Sequence, residues 1–343
     1  MVRGDRPTIQ VVARAAGVHP STVSRALAGP SPTSRVSQTT AEHVRKVARE
    51  LGYVANPWAA SLTVGVTRSI GVVVPNLSDP VHASLCSYLE QIAFQKGYQV
   101  TIVGSNDRIR LQRKKIEYLL ERRVDGLIVT DAHLSNPILS EIDKQGVPLV
   151  LALRHADNWD YVGVDDFHGG WLVGEHLCQL GRRKLGLIQG MKYASTSRER
   201  ARGFAEASAE AGIHIEDDHC LSSGFDVESG YQACRQLLER DPHIDGIFAV
   251  SDLLAIGAMG ALLATGRSVG SDVALVGYNN LQLAAMLPVP LSSVDVPLEL
   301  IARSAVVALL GRLAGDGRRE TVRHSVSLLA RASSGVSAPV FTE

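Results

Sequence analysis

The spacing of apolar residues divides the chain into a short helical head and a long segment in which strands alternate with helices. Through residue 62, apolar positions recur at helical intervals. From Ile70 onward, short apolar runs occur at Ile70–Val74, Tyr98–Val103, Gly126–Thr130, Pro148–Leu153, Leu185–Gln189, Gly246–Val250 and Val273–Gly277. Helical stretches lie between them at Val81–Lys96, Arg110–Arg123, Gly169–Leu180, Ser195–Ala211, Val227–Arg240 and Leu253–Leu263. This alternation predicts βαβ units with mostly parallel sheets, and the number of strands favours two subdomains.

The start of the head predicts a short helix followed by a tight turn. Thr8 is a candidate N-cap, and three apolar residues follow it at helical spacing. These apolar residues are Val11, Val12 and Ala15. Gly17 can adopt the left-handed conformation that ends a helix. We therefore expect the first helix to stop just before Gly17.

A second helix is predicted to begin at Pro20 or Ser21, because proline is tolerated in the first turn. Its inward residues are expected to be Val23, Ala26 and Leu27. Its outward residues are expected to be Ser21, Thr22 and Arg25. Two helices in this arrangement form a helix-turn-helix, whose second helix fits the major groove of DNA. The same pattern also occurs in proteins that never bind DNA.

A third helix supplies the remainder of a small core. Ser37 is placed to cap Gln38–Leu51, whose apolar face is Val44, Val47, Ala48 and Leu51. Asn56-Pro57 then opens a further short helix that ends near Leu62. Three helices suffice to enclose a helix-turn-helix, so this context favours a DNA-binding head.

Net charge is zero overall but unevenly distributed. Residues 1–62 hold eight Lys and Arg against Asp5, Glu42 and Glu50, which gives +5 and leaves −5 for the remainder. A basic head on an acidic body is typical of a protein that places one end on phosphate. An ordinary solvated helical face is the alternative explanation for so modest a charge.

Other features narrow the class of protein. No apolar run approaches the roughly 18 residues of a membrane span, and no secretory signal is evident, so we expect a cytoplasmic protein. Its cysteines, Cys86, Cys178, Cys220 and Cys234, lack metal-ligand spacing and suit a reducing compartment. Motifs of nucleophilic, nucleotide-binding and zinc enzymes are lacking, so no catalysis, cofactor or metal is expected. A free-standing solute-binding protein remains the rival to a DNA-binding one.

Three passages carry a more specific resemblance. They are Thr22-Val23-Ser24-Arg25, Leu51-Gly52-Tyr53 with Asn56-Pro57, and Val276-Gly277-Tyr278-Asn279-Asn280. In this order the chain resembles the LacI/GalR family of bacterial transcription regulators over essentially its whole length. The resemblance implies an all-α helix-turn-helix domain, plus two doubly wound parallel-sheet subdomains like those of periplasmic sugar-binding proteins.

The family pattern also implies domain boundaries. We expect a DNA-binding domain at residues 1–54 and a hinge helix and linker at residues 55–68. One effector subdomain should comprise residues 69–162 and 297–322, and the other residues 163–296 and 323–343. The break between them is expected near Tyr161–Asp165, after four strands. Helix Leu298–Leu313 should return to the first subdomain.

The resemblance further implies a homodimer on a pseudo-palindromic operator. Candidate DNA-binding residues are Thr8, His19, Ser21, Thr22, Arg25, Asn56 and Leu62. Arg25 is expected to read guanine, with a phosphate contact as the alternative. Leu62 matches the residue that the family inserts into the minor groove, although it could instead fix the linker to the core. Trp58 departs from the aliphatic residue usual in this hinge.

Residues that follow strands are the candidates for binding a small-molecule effector. They are Asn76, Asp79, Asn106 and Arg154 in the first subdomain, and Asp165, Thr196, Arg200, Phe225, Ser251, Asp252 and Asn279 in the second. Asp252 could be only a helix cap. Asn279 stands where many sugar-binding members have an acid, so one negative charge facing Arg200 is lost. We therefore expect a sugar, with a sugar acid or sugar phosphate favoured by this change.

Overall fold

The computed structural model describes residues 7–27, 36–53, 66–316, 318 and 320–336. The chain forms two compact units, Met1–Arg68 and Ser69–Glu343. The small unit contains α1 (Ile9–Ala15), α2 (Pro20–Leu27) and α3 (Gln38–Glu50). Its core consists of Val12, Ala13, Ala16, Val23, Ala26, Ala41, Val44 and Ala48. Three of the four helices expected in the head are thus present, and their many alanines allow them to pack closely. The fourth, expected to begin at Asn56-Pro57, lies outside the described residues.

The buried face of α1 differs from the expected one. Val12, Ala13 and Ala16 are buried, whereas Val11 is 45% exposed and Ala15 is also exposed. Each set has the same helical spacing and both are apolar, so the sequence pattern could not distinguish two faces 100° apart. Gly17 ends this helix region at φ 67°, as its conformational freedom suggested.

The predicted caps differ in what their side chains do. Ser37 Oγ accepts a hydrogen bond from the Thr40 backbone N–H at 3.2 Å, which confirms it as the cap of α3. Thr8 occupies the N-cap position of α1 but makes no side-chain capping hydrogen bond. Leu51 follows the end of α3 and is 38% exposed, so it does not belong to the buried face.

The larger unit contains two sheets, with helices between most successive strands. The first sheet contains β1 (Ser69–Val74), β2 (Gln99–Gly104), β3 (Gly126–Val129), β4 (Leu149–Ala152) and β5 (Tyr161–Val164). Its connecting helices are α4 (Pro80–Gln95), α5 (Ile109–Glu121) and α6 (Pro137–Lys144). Strand β11 (Val322–His324) completes a parallel sheet in the order β11-β5-β4-β3-β1-β2.

The second sheet repeats this topology. It contains β6 (Leu185–Gln189), β7 (Cys220–Ser222), β8 (Gly246–Ala249), β9 (Ala274–Asn279) and β10 (Ser292–Asp295). Its helices are α7 (Asp166–Gln179), α8 (Ser195–Glu210), α9 (Val227–Arg240), α10 (Asp252–Ala264) and the single turn α11 (Gln282–Ala285). Strand β12 (Ser327–Leu329) pairs antiparallel with β10, in the order β12-β10-β9-β8-β6-β7.

The sheets define two lobes, and the chain passes between them three times. It leaves the first sheet after β5, returns after β10 for α12 (Leu298–Leu313) and β11, and crosses again to reach β12. The expected break therefore follows five strands and not four, because Tyr161–Val164 pairs with β4. Strands β5 and β11 also extend across the boundaries proposed at residues 162 and 322. Short strands beside polar residues carry too little hydrophobic pattern to be recognised in advance.

Candidate functional site

The outward surface of α2 is the candidate DNA-binding face of the small unit. Val23 and Ala26 are buried beneath it, while Ser21 and Arg25 are exposed and Thr22 is half-buried. This confirms the predicted orientation of the helix. Apolar residues fix its inner side, so the exposed side chains remain available for contacts outside the domain.

His19 and Ser21 form one hydrogen-bonded unit at the start of α2. The Ser21 backbone N–H donates to His19 Nδ1 at 3.3 Å, and Ser21 Oγ lies 2.9 Å from the same nitrogen. A nitrogen that accepts the backbone N–H carries no proton, so a neutral His19 has its proton on Nε2. His19 then offers a donor to a partner. Thr8 is exposed beside α1, and Asn56, Trp58 and Leu62 lie outside the described residues.

A cleft lies between the two lobes, where the carboxyl ends of the strands meet. In each sheet the strand order reverses beside the first strand of the lobe, at β1 and β6, which is where doubly wound sheets bind ligands. Ten of the eleven candidate effector residues line this cleft, whereas Asp165 caps α7 and lines neither of its cavities. Eight surround an inner cavity: Asp79, Arg154, Thr196, Arg200, Phe225, Ser251, Asp252 and Asn279. Asn76 and Asn106 line the adjoining outer part. Their role in binding an effector stays a prediction.

Arg200 is held in a buried network within the second lobe. Its Nε donates to Asp166 Oδ1 at 2.7 Å, and Nη1 donates to the Val250 carbonyl at 2.8 Å. The guanidinium also lies 3.7 Å from the ring centroid of Tyr278. Burial raises the pKa of Asp166, and Arg200 opposes this rise. This pairing could not be predicted from the sequence, since 34 positions separate Asp166 from Arg200.

Arg154, in the loop after β4, is a buried arginine of the first lobe that also lines the cleft. Its Nη1 donates to both carboxylate oxygens of Asp107, at 2.8 and 2.9 Å. His133 Nε2 lies 3.3 Å from the same carboxylate. Burial raises the pKa of Asp107, but the hydrogen bond from His133 and the charge of Arg154 outweigh burial and lower this pKa to about 2. Asp107 therefore stays ionised at neutral pH.

These two ion pairs remove the basis of the expected anion preference. The preference assumed that Asn279 leaves Arg200, and with it Arg154, without an opposing charge. Asp166 and Asp107 already supply that charge at hydrogen-bond distance. Neither arginine depends on an acid at position 279 for neutralisation.

Asp252 positions the loop that follows Asn279 and is not the cap of α10. Ser251 Oγ caps that helix by accepting the Leu254 N–H. Asp252 is fully buried and accepts hydrogen bonds from the Leu281 N–H at 2.7 Å and from Ser293 Oγ at 2.6 Å. Burial raises the pKa of Asp252 to about 6, against the lowering effect of these bonds. Asn279 itself has a left-handed φ of 104°, which this network helps to hold.

The helix that begins beside Asp79 adds a histidine to the cavity wall. Asp79 Oδ1 caps α4 by accepting the Val81 N–H at 2.8 Å, and His82 follows on the first turn. His82 Nδ1 lies 3.3 Å from Thr130 Oγ1. Burial, with Arg154 nearby, lowers the pKa of His82 to about 3, so the ring is neutral. Its place in an apolar helix gave no reason to select it from the sequence.

Direct contacts join the lobes beside the cleft. His133 stacks on Tyr193 with ring centroids 3.9 Å apart, and the Leu134 N–H donates to the Tyr193 carbonyl at 2.9 Å. The His155 N–H donates to Ser195 Oγ at 2.9 Å. Arg154 lies 5.1 Å from the ring centroid of Phe225 on the opposite lobe. On one side of the cleft, ring stacking and hydrogen bonds join the two lobes directly. On another side, the lobes meet where the Arg154 guanidinium faces the Phe225 ring.

Within the described ranges, no helix is long and apolar enough to cross a membrane. The same residues hold no group of three or more His, Cys, Asp or Glu side chains suited to a metal ion.

A helix-turn-helix head and a two-lobed α/β body define a transcriptional regulator with a sugar-binding domain. The model for periplasmic binding proteins and the sugar-binding domain of the LacI family matches residues 67–327. The model for bacterial regulatory proteins of the lacI family matches residues 8–56. The chain belongs to the LacI family.

Individual relatives agree with this assignment. The HTH-type transcriptional regulator CelR of Thermobifida fusca is 32% identical over 325 residues, covering 92% of this chain and 94% of that protein. The HTH-type transcriptional repressor PurR of Pectobacterium carotovorum is also 32% identical, over 89% of this chain and 90% of its own length. These relatives are regulators and not enzymes, which confirms the expectation of a non-catalytic protein.

Solved structures show the same architecture. The lac repressor dimer bound to operator and the anti-inducer ONPF has a TM-score of 0.87 at 25% identity, covering 96% of this chain and 99% of that one. The complex of the regulator CelR with cellobiose has a TM-score of 0.73 at 30% identity, covering 96% of this chain and 100% of that one.

Proposed function

We propose that the chain is a homodimeric repressor of the cytoplasm, which binds a pseudo-palindromic operator and responds to a small polar effector. The effector would be a sugar, sugar acid or sugar phosphate bound between the lobes. The observation that carries this proposal is the cleft, because it collects polar side chains from both lobes of a chain that also has a DNA-binding head. A ligand held by both lobes stabilises one relative arrangement of them.

The proposed operator contacts divide into two kinds. Ser21, Arg25 and the donor of His19 would reach base edges, with Arg25 suited to guanine O6 and N7. Thr8 and Thr22 would contact phosphates, which fix position without reading sequence. Asn56 and Leu62 are proposed to act in the linker at residues 55–68, where Leu62 would enter the minor groove.

A homodimer would place two heads on two half-sites related by symmetry. The dimer named for the lac repressor structure supports this proposal by similarity of fold. Two exposed apolar residues at α11 also favour a protein contact, since Leu283 is 56% exposed and Met286 is 76% exposed. We also propose that the two lobes are the effector subdomains expected from the sequence. The chain would cross between them at the ends of β5 and β11, and not at residues 162 and 322.

The alternative is a free-standing binding protein that does not regulate through DNA. The exposed face of α2 and the family membership both favour the regulator. If the chain is a regulator, the effector must change the affinity for the operator by the same factor as the operator changes the affinity for the effector, since the binding free energies are linked.

Selection of binding sites from random duplex DNA tests this proposal on the full chain. We expect enrichment of an inverted repeat whose half-sites are about one or more helical turns apart. Arg25→Ala should then weaken binding and relax the preference at one base pair by about 1–3 kcal/mol. Lys46→Ala is the matched control, because Lys46 is an exposed cation on α3 that faces Glu50 at 3.9 Å. Enrichment of no symmetric sequence would refute the proposal.

A further inference from the structure

Two adjoining cavities of very different size occupy the cleft. The inner cavity has a volume of about 50 Å³ and the outer one about 700 Å³. They share four lining residues, namely Asp79, Arg154, Phe225 and Leu253. One water molecule needs roughly 10–15 Å³ of such space, so the inner cavity holds a few hydroxyl groups and not a whole sugar ring. The outer cavity lies within the roughly 300–1,000 Å³ range of ligand pockets.

The inner cavity contains polar side chains that lack a protein partner. The side chains of Asn279 and Thr196 are more than nine-tenths buried, and neither makes a hydrogen bond within the described part of the chain. Asp79 uses only Oδ1 in capping α4. A buried polar group without a partner costs free energy, so these groups favour a ligand that can satisfy them. Asn279 and Thr196 can each donate and accept, which matches the hydroxyl groups of a carbohydrate.

The outer cavity is acidic. Asp79, Asp107, Asp226 and Glu228 line it, against the single cation Arg154. Arg154 is already bound by Asp107 through two hydrogen bonds. An anionic ligand would meet an excess of like charge in this cavity. The electrostatics therefore disfavour a sugar acid or a sugar phosphate.

Aromatic side chains flank the route from one cavity to the other. Phe225 lines both cavities, and Tyr193 lines the outer one. The Phe225 ring lies against Gly190, where an added Cβ would approach the ring carbons to 2.2 Å. Glycine at this position allows the ring to stand at the entrance of the inner cavity. Rigid aromatic rings in this arrangement suit the apolar faces of successive sugar rings.

We propose that the effector is a neutral, linear carbohydrate of at least two linked sugar rings. Hydroxyl groups at one end enter the inner cavity, where they reach Asn279, Thr196 and Asp79. The next ring occupies the outer cavity beside Phe225 and Tyr193. This inference rests on the proposed function, because it assumes that the cleft is the effector site.

Calorimetric titration of the full chain tests the proposal. The probes are glucose, xylose, cellobiose, maltose, xylobiose, cellotriose and maltotriose, with cellobionate, glucose 6-phosphate and the disaccharide of glucosamine for charge. We expect a neutral di- or trisaccharide to bind about 100-fold or more tightly than its monosaccharide, a difference of about 2.7 kcal/mol. It should also bind more tightly than the charged probes. The proposal is wrong if a monosaccharide or a charged probe binds as tightly, or if none of the neutral oligosaccharides binds.

A matched pair of variants locates the second ring. Tyr193→Leu should weaken binding of the best oligosaccharide about tenfold, while Tyr193→Phe, which keeps the ring, should have a smaller effect. Equal affinity of both variants and the wild type would place the second ring elsewhere and overturn the subsite assignment. If Tyr193→Leu fails to fold, Glu228→Gln replaces it, and it should raise the affinity for cellobionate relative to the affinity for cellobiose. A failure of that shift would equally overturn the assignment.

Operator binding is measured separately, so failure of the two proposals can be distinguished. An oligosaccharide that binds without changing operator affinity would sustain this inference and refute its regulatory role. If only a monosaccharide changes operator affinity, the regulatory function would be supported and the oligosaccharide inference would be refuted.

Discussion

Each lobe pairs an arginine that lines the cleft with an aspartate, but the two lobes hold these pairs differently. In the second lobe, the side chains of Arg200 and Asp166 are only 6% and 7% exposed. In the first lobe, Arg154 is similarly buried, but Asp107 is 19% exposed and shared with His133. The second pair also has a backbone carbonyl and the Tyr278 ring as partners. A pair enclosed by its own lobe forms a fixed floor, whereas a pair that faces Phe225 of the other lobe can respond to the contents of the cleft.

The largest expected effect comes from breaking the enclosed pair. Asp166→Asn should lower the free energy of unfolding by about 3–5 kcal/mol, because it leaves the Arg200 charge buried without a counter-ion. Urea denaturation of the full chain measures this loss. The double variant Asp166→Asn with Arg200→Met should recover part of the stability. A loss below about 1 kcal/mol would mean that this pair is no more fixed than an exposed one.

A pH series on Asp252 tests whether the floor of the second lobe is rigid enough to hold a carboxyl away from water. Its pKa is about 6 in the folded chain and 3.8 ordinarily, so folding favours the protonated form. The stability of wild type relative to Asp252→Asn should therefore fall by up to about 3 kcal/mol as pH rises from 4 to 7. Paired unfolding curves at each pH give this difference. If the stability of wild type relative to Asp252→Asn instead rose with pH, the pKa of Asp252 would be lowered by folding and the prediction would be wrong.

Breaking the more open pair should cost less. Asp107→Asn is expected to lower the free energy of unfolding at pH 7 by about 1.5–3 kcal/mol, the usual value for hydrogen bonds to charged groups. The depressed pKa of Asp107 means that its contribution is present above pH 4 and is lost as pH falls towards 2. Urea denaturation of Asp107→Asn and Asp166→Asn under the same conditions compares the two losses of unfolding free energy directly. Equal losses would contradict the proposed contrast between the lobes.

The smallest effect concerns the hydrogen bond between the His155 N–H and Ser195 Oγ, one of those that join the lobes. Ser195→Ala removes the acceptor of the His155 N–H, and we expect a loss of about 1 kcal/mol in unfolding free energy. Hydrogen exchange of the His155 amide should become faster. Ser229→Ala is a useful reference, since Ser229 Oγ donates to Asp226 within a single lobe. Unchanged exchange at His155 would show that this bond does not hold the lobes together.

The strong apolar strands and long amphipathic helices could be predicted from the sequence, and the weakly patterned elements could not. Val227–Arg240 has the predicted bounds, because its apolar residues recur with helical period. Strands Cys220–Ser222, Val322–His324 and Ser327–Leu329 are three residues long, and each exposes at least one of its residues. Such strands form because a neighbouring strand offers backbone hydrogen bonds, which leaves little trace in the order of residue types.

The sequence by itself determined the helix-turn-helix, the alternating α/β body and ten of the residues that line the cleft. These follow from periodicity, from caps and from the rule that parallel strands present their carboxyl ends together. The tertiary structure alone decided the electrostatics of that cleft. Arg154 meets Asp107 and Arg200 meets Asp166 only through folding, since 47 and 34 positions separate the partners. A charge acts through distance in space, and so the proposed preference for a neutral ligand could not be derived from residue types alone.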